Sequence, residues 1–226
     1  MARDRAQQTT PAAAPVCEVT LPVLPTASEV RTAVAIISID GLRPDAVLSA
    51  PASNILALAH RGSYSWRAQT ILPSNTLPAL FAGKEKFMHF RDSNCCDVWR
   101  YSAGGDQDLA AQAAMDAAAG MGLLVVHLPG VDNTGHADYW MSESYLRAVR
   151  RADEAVGRIV ASLPPHTTII LTADHGGHPE GHGSADPLDT TIPWIIAGPT
   201  IAHGRELSSP IRTVATAATA AYVLGI

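Results

Sequence analysis

Carboxylate and imidazole side chains recur along this chain shortly after runs of apolar residues. Carboxylate oxygens mixed with neutral imidazole nitrogens suit zinc and, less exclusively, manganese or iron. Taken one at a time, such residues are ordinary turn or core residues. Their recurrence after several apolar runs is difficult to explain by coincidence. The pattern therefore predicts a metal site. Its candidate ligands are Asp40, Asp132, His136, Asp174, His175 and His182.

The spacing of these residues limits how they can share an ion. Asp132 and His136 stand four residues apart, so on a helix both side chains can face the same ion. Asp174 and His175 are adjacent, and adjacent side chains on an extended strand diverge. They can share an ion only if the chain has already turned, which the following Gly176-Gly177 permits.

A nucleophile candidate, Thr76, lies in the segment Leu72-Pro73-Ser74-Asn75-Thr76-Leu77-Pro78. A threonine hydroxyl is a weak nucleophile unless a base or a metal activates it. The chain has no G-x-S-x-G elbow and no Ser/His/Asp order, so metal activation is the economical hypothesis, with a proline-bounded turn as the alternative. The segment 82–86 lacks the glycine and hydroxyl positions of a phosphate loop and is interpreted as a loop or strand edge.

Apolar runs and helical periodicities alternate along the chain. The run Ala33–Ile39 is β-branched and too short for a helix, which indicates a strand buried on both faces. This alternation predicts a mostly parallel sheet covered by helices on both sides, with ligands gathered beyond the carboxyl ends of the strands. Further strands are predicted at 123–128, 168–171 and 192–196, and helices at 54–62, 107–120, from Ser142 as N-cap, and at 212–223.

The length and composition bound the domain organisation and the partners. The 226 residues suit a single domain at 31–226 after a flexible arm at 1–30 that is rich in Ala, Pro and Thr. The formal net charge of -5 argues against a nucleic-acid polymer as partner, although a bound metal can still attract a small anion. No apolar run approaches the roughly 18–20 residues of a membrane span, so a soluble protein is expected. The oligomeric state is left open.

The sequence says less about the cellular compartment and about the cysteines and the remaining histidines. No apolar region follows Arg3 and Arg5, so we recognise no intact signal peptide and expect a cytoplasmic protein by default. The odd cysteine number makes a poor disulfide framework, so Cys17, Cys95 and Cys96 are interpreted as free thiols. The histidines outside the ligand pattern are interpreted as hydrogen-bonded core residues: His60, His89, His127, His166 and His203.

The chain carries a set of motifs in a fixed order: Ile39–Pro44, Thr76–Pro78, Val131–His136, Thr172–Gly177 and Gly181–Ser184, followed by a strand at Ile192–Pro199. Together these motifs resemble the alkaline phosphatase superfamily, and within it the type I phosphodiesterase/nucleotide pyrophosphatase family. The resemblance implies a three-layer α/β fold and metal-dependent hydrolysis of phosphodiesters or nucleotide pyrophosphates. It leaves an extracytoplasmic location open.

The resemblance also implies a role for each matching residue. One divalent ion, with zinc as first choice, would be held by Asp40, Thr76, Asp174 and His175, and a second by Asp132, His136 and His182. Thr76 would attack phosphorus and form a phosphothreonine intermediate that water then hydrolyses. A small phosphate ester or nucleotide would be the substrate. His178 competes for the last ligand position, and His182 is preferred because its His-Gly-Ser context matches the family.

The chain departs from the family after the nucleophile motif. Pro78 is followed almost directly by Phe81–Phe87, so a block of the family pattern is missing, and Ala79 stands where nucleotide pyrophosphatases have Asn. Without the neighbouring helix, Thr76 would be held less firmly and the reaction would be slower. Two alternatives therefore stay open: a phosphomonoesterase or phosphonate hydrolase on the same scaffold, and a metal-binding remnant with little activity.

Overall fold

The computed structural model describes residues 32–70, 81–84, 98–118 and 121–226. The chain divides into two compact units, Met1–Val30 and Arg31–Ile226, and every described residue belongs to the second unit. Several sequence predictions concern residues outside this description and stay predictions. They are the flexible arm at 1–30, the nucleophile Thr76 with the short connection at 76–80, His89, and the free thiols of Cys17, Cys95 and Cys96.

Within the described residues, eight strands form one sheet. In chain order the strands are β1 (Ala33–Ile39), β2 (Ser63–Gln69), β3 (Phe81–Ala82), β4 (Arg100–Tyr101), β5 (Leu123–Leu128), β6 (Thr167–Thr172), β7 (Thr191–Ala197) and β8 (Arg205–Glu206). Across the sheet their order is β4-β3-β5-β1-β6-β7-β2-β8. The first strand along the chain therefore lies between β5 and β6 near the centre of the sheet.

Most strand pairs are parallel, as the alternation of strands and helices predicts. β1 runs parallel to β5 and β6, with Ile37 opposite Val126 on one side and Leu171 on the other. β7, predicted only as a further strand, runs antiparallel to both β6 and β2. The physical reason is the connection, because residues 173–190 contain no crossover helix long enough to return the chain to the starting edge.

Helices cover the sheet, and the three-layer α/β fold expected from the sequence is confirmed. Both alternating sets of β1 side chains are buried, which requires cover on both faces. The helices are α1 (Pro44–Ser49), α2 (Ser53–Arg61), α3 (Asp106–Ala118), α4 (Gly130–Asp138), α5 (Glu143–Ser162), α6 (Pro187–Thr190) and α7 (Ala215–Leu224). The helix α5 contacts α1 to α4, whereas α7 packs against β1 and β6. No helix in the described ranges is long and apolar enough to cross a membrane.

The long helix α5 organises the helices on its side of the sheet. The Ser142 hydroxyl accepts a hydrogen bond from the Tyr145 backbone N–H at 3.1 Å, as expected of the predicted N-cap. Its buried residues recur at intervals of three and four, which forms one apolar stripe along the helix. The members of this stripe are Tyr145, Val149, Ala152, Val156 and Ile159.

A buried carboxylate on α5 caps the next helix from outside. Asp153 accepts hydrogen bonds from the backbone N–H of Asn54 at 3.1 Å and of Ile55 at 2.8 Å. The side-chain amide of Asn54 donates a further bond at 2.9 Å. The first N–H groups of a helix have no intrahelical acceptor, and the N-cap Ala52 offers no side-chain oxygen. Asp153 therefore fixes where α2 begins relative to α5.

We expect Asp153→Ala to lower the free energy of unfolding by about 2–4 kcal/mol, because it leaves buried donors without an acceptor. Urea denaturation monitored by circular dichroism measures the change. The matched control is Glu154→Ala, an exposed neighbour on the same helix, which should stay within about 0.5 kcal/mol of the parent. Equal stability of the two variants would contradict this capping role.

Candidate metal centre

Three acidic residues meet at one edge of the sheet. Asp40 directly follows β1, Asp132 lies in the first turn of α4 after β5, and Asp174 follows β6. Because β1 lies between β5 and β6, the carboxyl ends of these parallel strands are neighbours. All three residues are buried, with exposed fractions of 0%, 2% and 7% in the same order. The structure thus gathers these predicted ligands in one place.

The turn after β1 is attached to its surroundings through Gly41. This residue has a φ of +70°, and a Cβ there would lie 3.0 Å from the Cα of Asp132, so glycine is required. Its carbonyl accepts hydrogen bonds from the Tyr145 hydroxyl at 2.7 Å and from the Trp140 indole N–H at 3.2 Å. These contacts fix the direction in which Asp40 leaves the strand.

The short helix α4 presents two ligand candidates on one face. His136 follows Asp132 by one turn, and its Nε2 lies 3.5 Å from Oδ1 of Asp132. The start of the helix is held by Asp106, whose carboxylate accepts a hydrogen bond from the Gly130 N–H at 2.9 Å. Burial raises the pKa of Asp106 to about 6. The helical spacing inferred from the sequence is therefore realised in the structure.

The candidate ligands form two groups that share one histidine. In the first group, Nε2 of His175 lies 3.1 Å from Oδ1 of Asp40 and 4.0 Å from Oδ1 of Asp174. In the second group, Nε2 of His182 lies 3.6 Å from Oδ1 of Asp132, and Nε2 of His175 lies 3.8 Å from the same oxygen. Within each group, one ligand atom per residue lies within 4.8 Å of the others.

His136 borders the second group, since its Nε2 lies 3.1 Å from Nε2 of His182. The imidazole rings of His175 and His182 stack with centroids 3.7 Å apart. His175 thus lies between the groups, whereas the family resemblance assigned it only to the ion held with Asp40.

Unsatisfied oxygens show that these residues fit a cation. In the part of the chain that the structure describes, Oδ1 of Asp40, Oδ1 of Asp132 and Oδ2 of Asp174 are buried and accept no well-aligned hydrogen bond. Burying an anionic oxygen without a donor or cation is costly. Carboxylates and imidazoles are also the donor set that zinc and related divalent ions bind.

The charges in this cluster shift the protonation of its members. Burial alone would raise the pKa of Asp40, but His127, His175 and Lys84 hold that pKa well below its ordinary value. Burial lowers the pKa of His175, and Asp40 and Asp174 outweigh it and raise the pKa to about 9. Burial, followed by the charge of His175, lowers the pKa of His182, which favours the neutral form that binds metals.

The sequence predicts that His127 is an ordinary hydrogen-bonded core histidine, but the structure places it beside the candidate ligands. It is buried as expected, but its Nε2 lies 3.3 Å from Oδ2 of Asp40 and 3.7 Å from Oδ2 of Asp174. Burial lowers its pKa, while Asp174 and Asp40 raise it to about 9. The signal available in the sequence was a polar residue inside the otherwise apolar run Leu123–Leu128.

Lys84 is the second residue that sequence reasoning left out of the site. It follows β3, as expected for a loop or strand edge, but its ammonium lies 2.5 Å from Oδ2 of Asp40 and 2.6 Å from Oδ2 of Asp132. Burial lowers the pKa of Lys84, and the two carboxylates outweigh this and raise it. No local pattern in the sequence distinguishes this lysine from a solvated one.

Trp140 supports the two outer imidazoles. Its indole is buried and meets the ring of His136 edge-on, with centroids 5.0 Å apart, and that of His182 at 5.8 Å. A Cβ on Gly177 would lie 2.2 Å from the indole, so this glycine allows the close approach. Tyr139 and Met141, on either side of the tryptophan, have φ values of 67° and 64°. Such backbone strain is found preferentially at functional sites.

Within the described ranges, the remaining histidines do not belong to the two ligand groups. Nδ1 of His178 lies 2.7 Å from Oδ1 of Asp189, whose other oxygen accepts hydrogen bonds from the backbone and hydroxyl of Ser184. The structure therefore places His182, and not His178, beside Asp132. The interpretation of His60 and His203 as core residues is wrong because both are exposed, and His166 is half-buried.

Comparison with known proteins shows a similarity to one family and supports a general class of chemistry. A family model described as type I phosphodiesterase / nucleotide pyrophosphatase matches residues 86–195. GPI ethanolamine phosphate transferase 1 of Aspergillus oryzae is 29% identical over 166 residues, which cover 64% of this chain. The chain spans only 16% of the length of that relative. Together these matches support phosphoester hydrolysis or transfer as the general class of chemistry.

Two solved structures share the fold. An inactive variant of murine ectonucleotide pyrophosphatase / phosphodiesterase 5 in complex with AMP superposes with a TM-score of 0.68 at 11% identity, over 86% of this chain and 95% of the other. An alkaline phosphatase superfamily protein from Vibrio parahaemolyticus gives a TM-score of 0.65 at 15% identity, over 87% and 67%. At such identities the likeness concerns the fold alone.

In metal-free buffer, we expect the free energy of unfolding to fall as the pH rises from about 6.5 to about 9. Folded His127 and His175 keep their protons up to a pKa of about 9, whereas an unfolded histidine loses its proton near 6.5. Their stabilisation is therefore complete below the unfolded pKa and disappears as the pH passes the folded one. Urea denaturation across this range measures the effect, and His127→Gln should flatten it. Constant or rising stability would contradict the assignment.

We expect Trp140→Leu to weaken zinc binding by about tenfold, because His136 and His182 lose the ring that restricts their orientation. Isothermal titration calorimetry on the metal-free protein measures this affinity. The matched control is Trp66→Leu, which removes a half-buried indole packed against Tyr64 and should leave zinc affinity unchanged. The supporting role is wrong if both variants bind zinc equally well.

Proposed function

We propose that this chain, whose residues 86–195 match the model of the type I phosphodiesterase / nucleotide pyrophosphatase family, hydrolyses phosphate diesters or nucleotide pyrophosphates at a two-metal site. The observation that carries the proposal is the convergence of Asp40, Asp174 and His175 beside Asp132 and His182 at one edge of the sheet. Ligands at adjacent strand ends are held on rigid elements, which a site for in-line displacement requires.

The proposed ligand sets follow the family resemblance and the proximity of the described residues. Asp40, Asp174 and His175 would hold one ion together with Thr76, and Asp132, His136 and His182 would hold the other. Two divalent ions, zinc by first choice, supply charge stabilisation for the attacking and leaving oxygens of a phosphoryl transfer. His175 lies close enough to both groups to contribute to either ion.

Thr76 is the proposed nucleophile. Its hydroxyl oxygen would attack phosphorus and lose its proton, while the bond between phosphorus and the leaving alcohol breaks and that alcohol takes up a proton. Water would then attack the phosphothreonine, break its bond to the threonine oxygen and restore the hydroxyl. Buried His127 would hold Asp40 and Asp174 in place during both steps through its contacts with their Oδ2 atoms.

Transfer to an alcohol is a second candidate, favoured by the similarity to an ethanolamine phosphate transferase. The first step is the same, and an acceptor alcohol replaces water in the second. Adding a primary alcohol to the assay separates the two, because transfer yields an alkyl phosphate in place of the hydrolysis product. Comparing p-nitrophenyl phosphate with its diester tests the remaining alternative, a phosphomonoesterase on the same scaffold.

We expect zinc-reconstituted protein to hydrolyse bis-p-nitrophenyl phosphate, and Thr76→Ala to lower the rate at least about a hundredfold, because the attacking oxygen is removed. Release of p-nitrophenolate, followed by absorbance, measures the rate. The matched control is Ser74→Ala, which removes a hydroxyl two residues away and should retain most of the activity.

Equal rates for the parent and Thr76→Ala would contradict the assignment of Thr76 as nucleophile. Loss of activity in Ser74→Ala alone would assign that role to the Ser74 hydroxyl instead. Zinc content by mass spectrometry gives an independent readout. Stoichiometric zinc without turnover of phosphate monoesters or diesters would favour the alternative of a metal-binding remnant with little activity. It would also agree with the block of the family pattern that is missing after Pro78. A folded protein that binds no divalent ion would defeat the two-metal proposal altogether.

A further inference from the structure

An internal cation lies between the two ligand groups. The ammonium of Lys84 contacts Oδ2 of Asp40 and Oδ2 of Asp132, at 2.5 and 2.6 Å. Asp40 belongs to the first group and Asp132 to the second, so this one side chain bridges them. Both carboxylates are almost fully buried, whereas about a quarter of the lysine side chain is exposed. The bridge is therefore made from the solvent side of the site.

The backbone around Lys84 holds it at this place. The preceding Gly83 packs so closely on Pro129, the N-cap residue of α4, that a Cβ would lie 2.3 Å from the proline ring. β3 is also paired with β5 through Ala82, opposite His127. The strand that leads to Lys84 therefore packs against the start of the helix that carries Asp132. From this position the lysine side chain is long enough to reach both carboxylates.

The ammonium and a divalent ion compete for the same atoms. Two cations at contact distance from the same carboxylate repel each other strongly in a buried setting, where solvent screening is weak. The lysine side chain is flexible and partly exposed, so it can withdraw towards solvent without a backbone movement. Metal binding then replaces an existing ion pair instead of filling an uncompensated anionic site.

We propose that Lys84 is a built-in competitor of the metal ions: it joins the two ligand groups in the metal-free protein and lowers the affinity for divalent cations. The inference rests on the metal site of the proposed function, but it does not depend on turnover. It assigns to Lys84 two effects of opposite sign, because the same contact stabilises the metal-free fold and opposes metal binding.

The test compares zinc affinity and metal-free stability in Lys84→Met, which keeps the length of the side chain and removes its charge. We expect zinc to bind at least about tenfold more tightly than to the parent, as measured by competition with a chromophoric chelator. We also expect a lower melting temperature without zinc, because the two buried carboxylates lose their counter-charge, and a larger upward shift of that temperature on zinc addition.

Two controls separate competition from a general loss of charge. Lys84→Arg keeps the charge and should bind zinc close to the parent affinity. Arg100→Met removes a half-exposed cation on β4, the strand next to β3, that pairs with Asp116 of α3 at 3.4 Å, and it should leave zinc affinity unchanged. If Lys84→Met does not fold without metal, Lys84→Gln, whose amide can still donate to both carboxylates, takes its place and should also bind zinc more tightly.

Unchanged or weaker zinc binding by folded Lys84→Met and Lys84→Gln would overturn the competition. If the parent binds zinc and hydrolyses diesters while these variants match its zinc affinity, only this inference fails. If neither the parent nor the variants bind zinc, the two-metal proposal fails with it.

Discussion

Three buried carboxylates within a few ångströms of one another are the constraint around which this protein is arranged. Asp40, Asp132 and Asp174 are withdrawn from water at one end of the sheet, where mutual repulsion and loss of hydration both act against folding. Such a cluster is tolerated only when cations are placed among the oxygens. In the described part of the chain, His127, His175 and Lys84 fill that role, and the remaining unsatisfied oxygens point to metal ions.

The sheet order makes this concentration of charge unavoidable. With β1 between β5 and β6, the residues after these three strands must lie side by side, and Gly41 removes the side chain that would separate Asp40 from Asp132. Two side chains from outside the sheet then secure the turn, since Tyr145 on α5 and Trp140 both donate to the Gly41 carbonyl. The same tryptophan packs against His182 of the second group and against the bordering His136, so the geometry of both groups depends on one support.

Under the proposed function, a site that is neutralised from within would bind metal by exchange of cations. His175 carries a proton because of the carboxylates that would share it with a metal, and that proton has to leave when the ring becomes a ligand. His182 differs, because burial and its neighbour lower its pKa and keep it ready to coordinate. The affinity for metal would therefore depend on the difference in free energy between the metal-bound site and the metal-free site, in which His175 and Lys84 neutralise the carboxylates.

The sequence by itself determined the elements and the chemical type of the site. Ala33–Ile39, Leu123–Leu128 and the stripe on α5 carry local periodicities that predict their own structure, and the Asp and His residues after the strands predict a metal centre through the geometry of parallel sheets. The tertiary structure alone decided the antiparallel direction of β7, the position of His175 between two groups, and the contacts of His127, Lys84 and Trp140 with the ligands. The physical reason is that these contacts join residues distant along the chain. They depend on strand order and on the approach of backbones at Gly41, Gly83 and Gly177, neither of which leaves a periodic signal in the sequence.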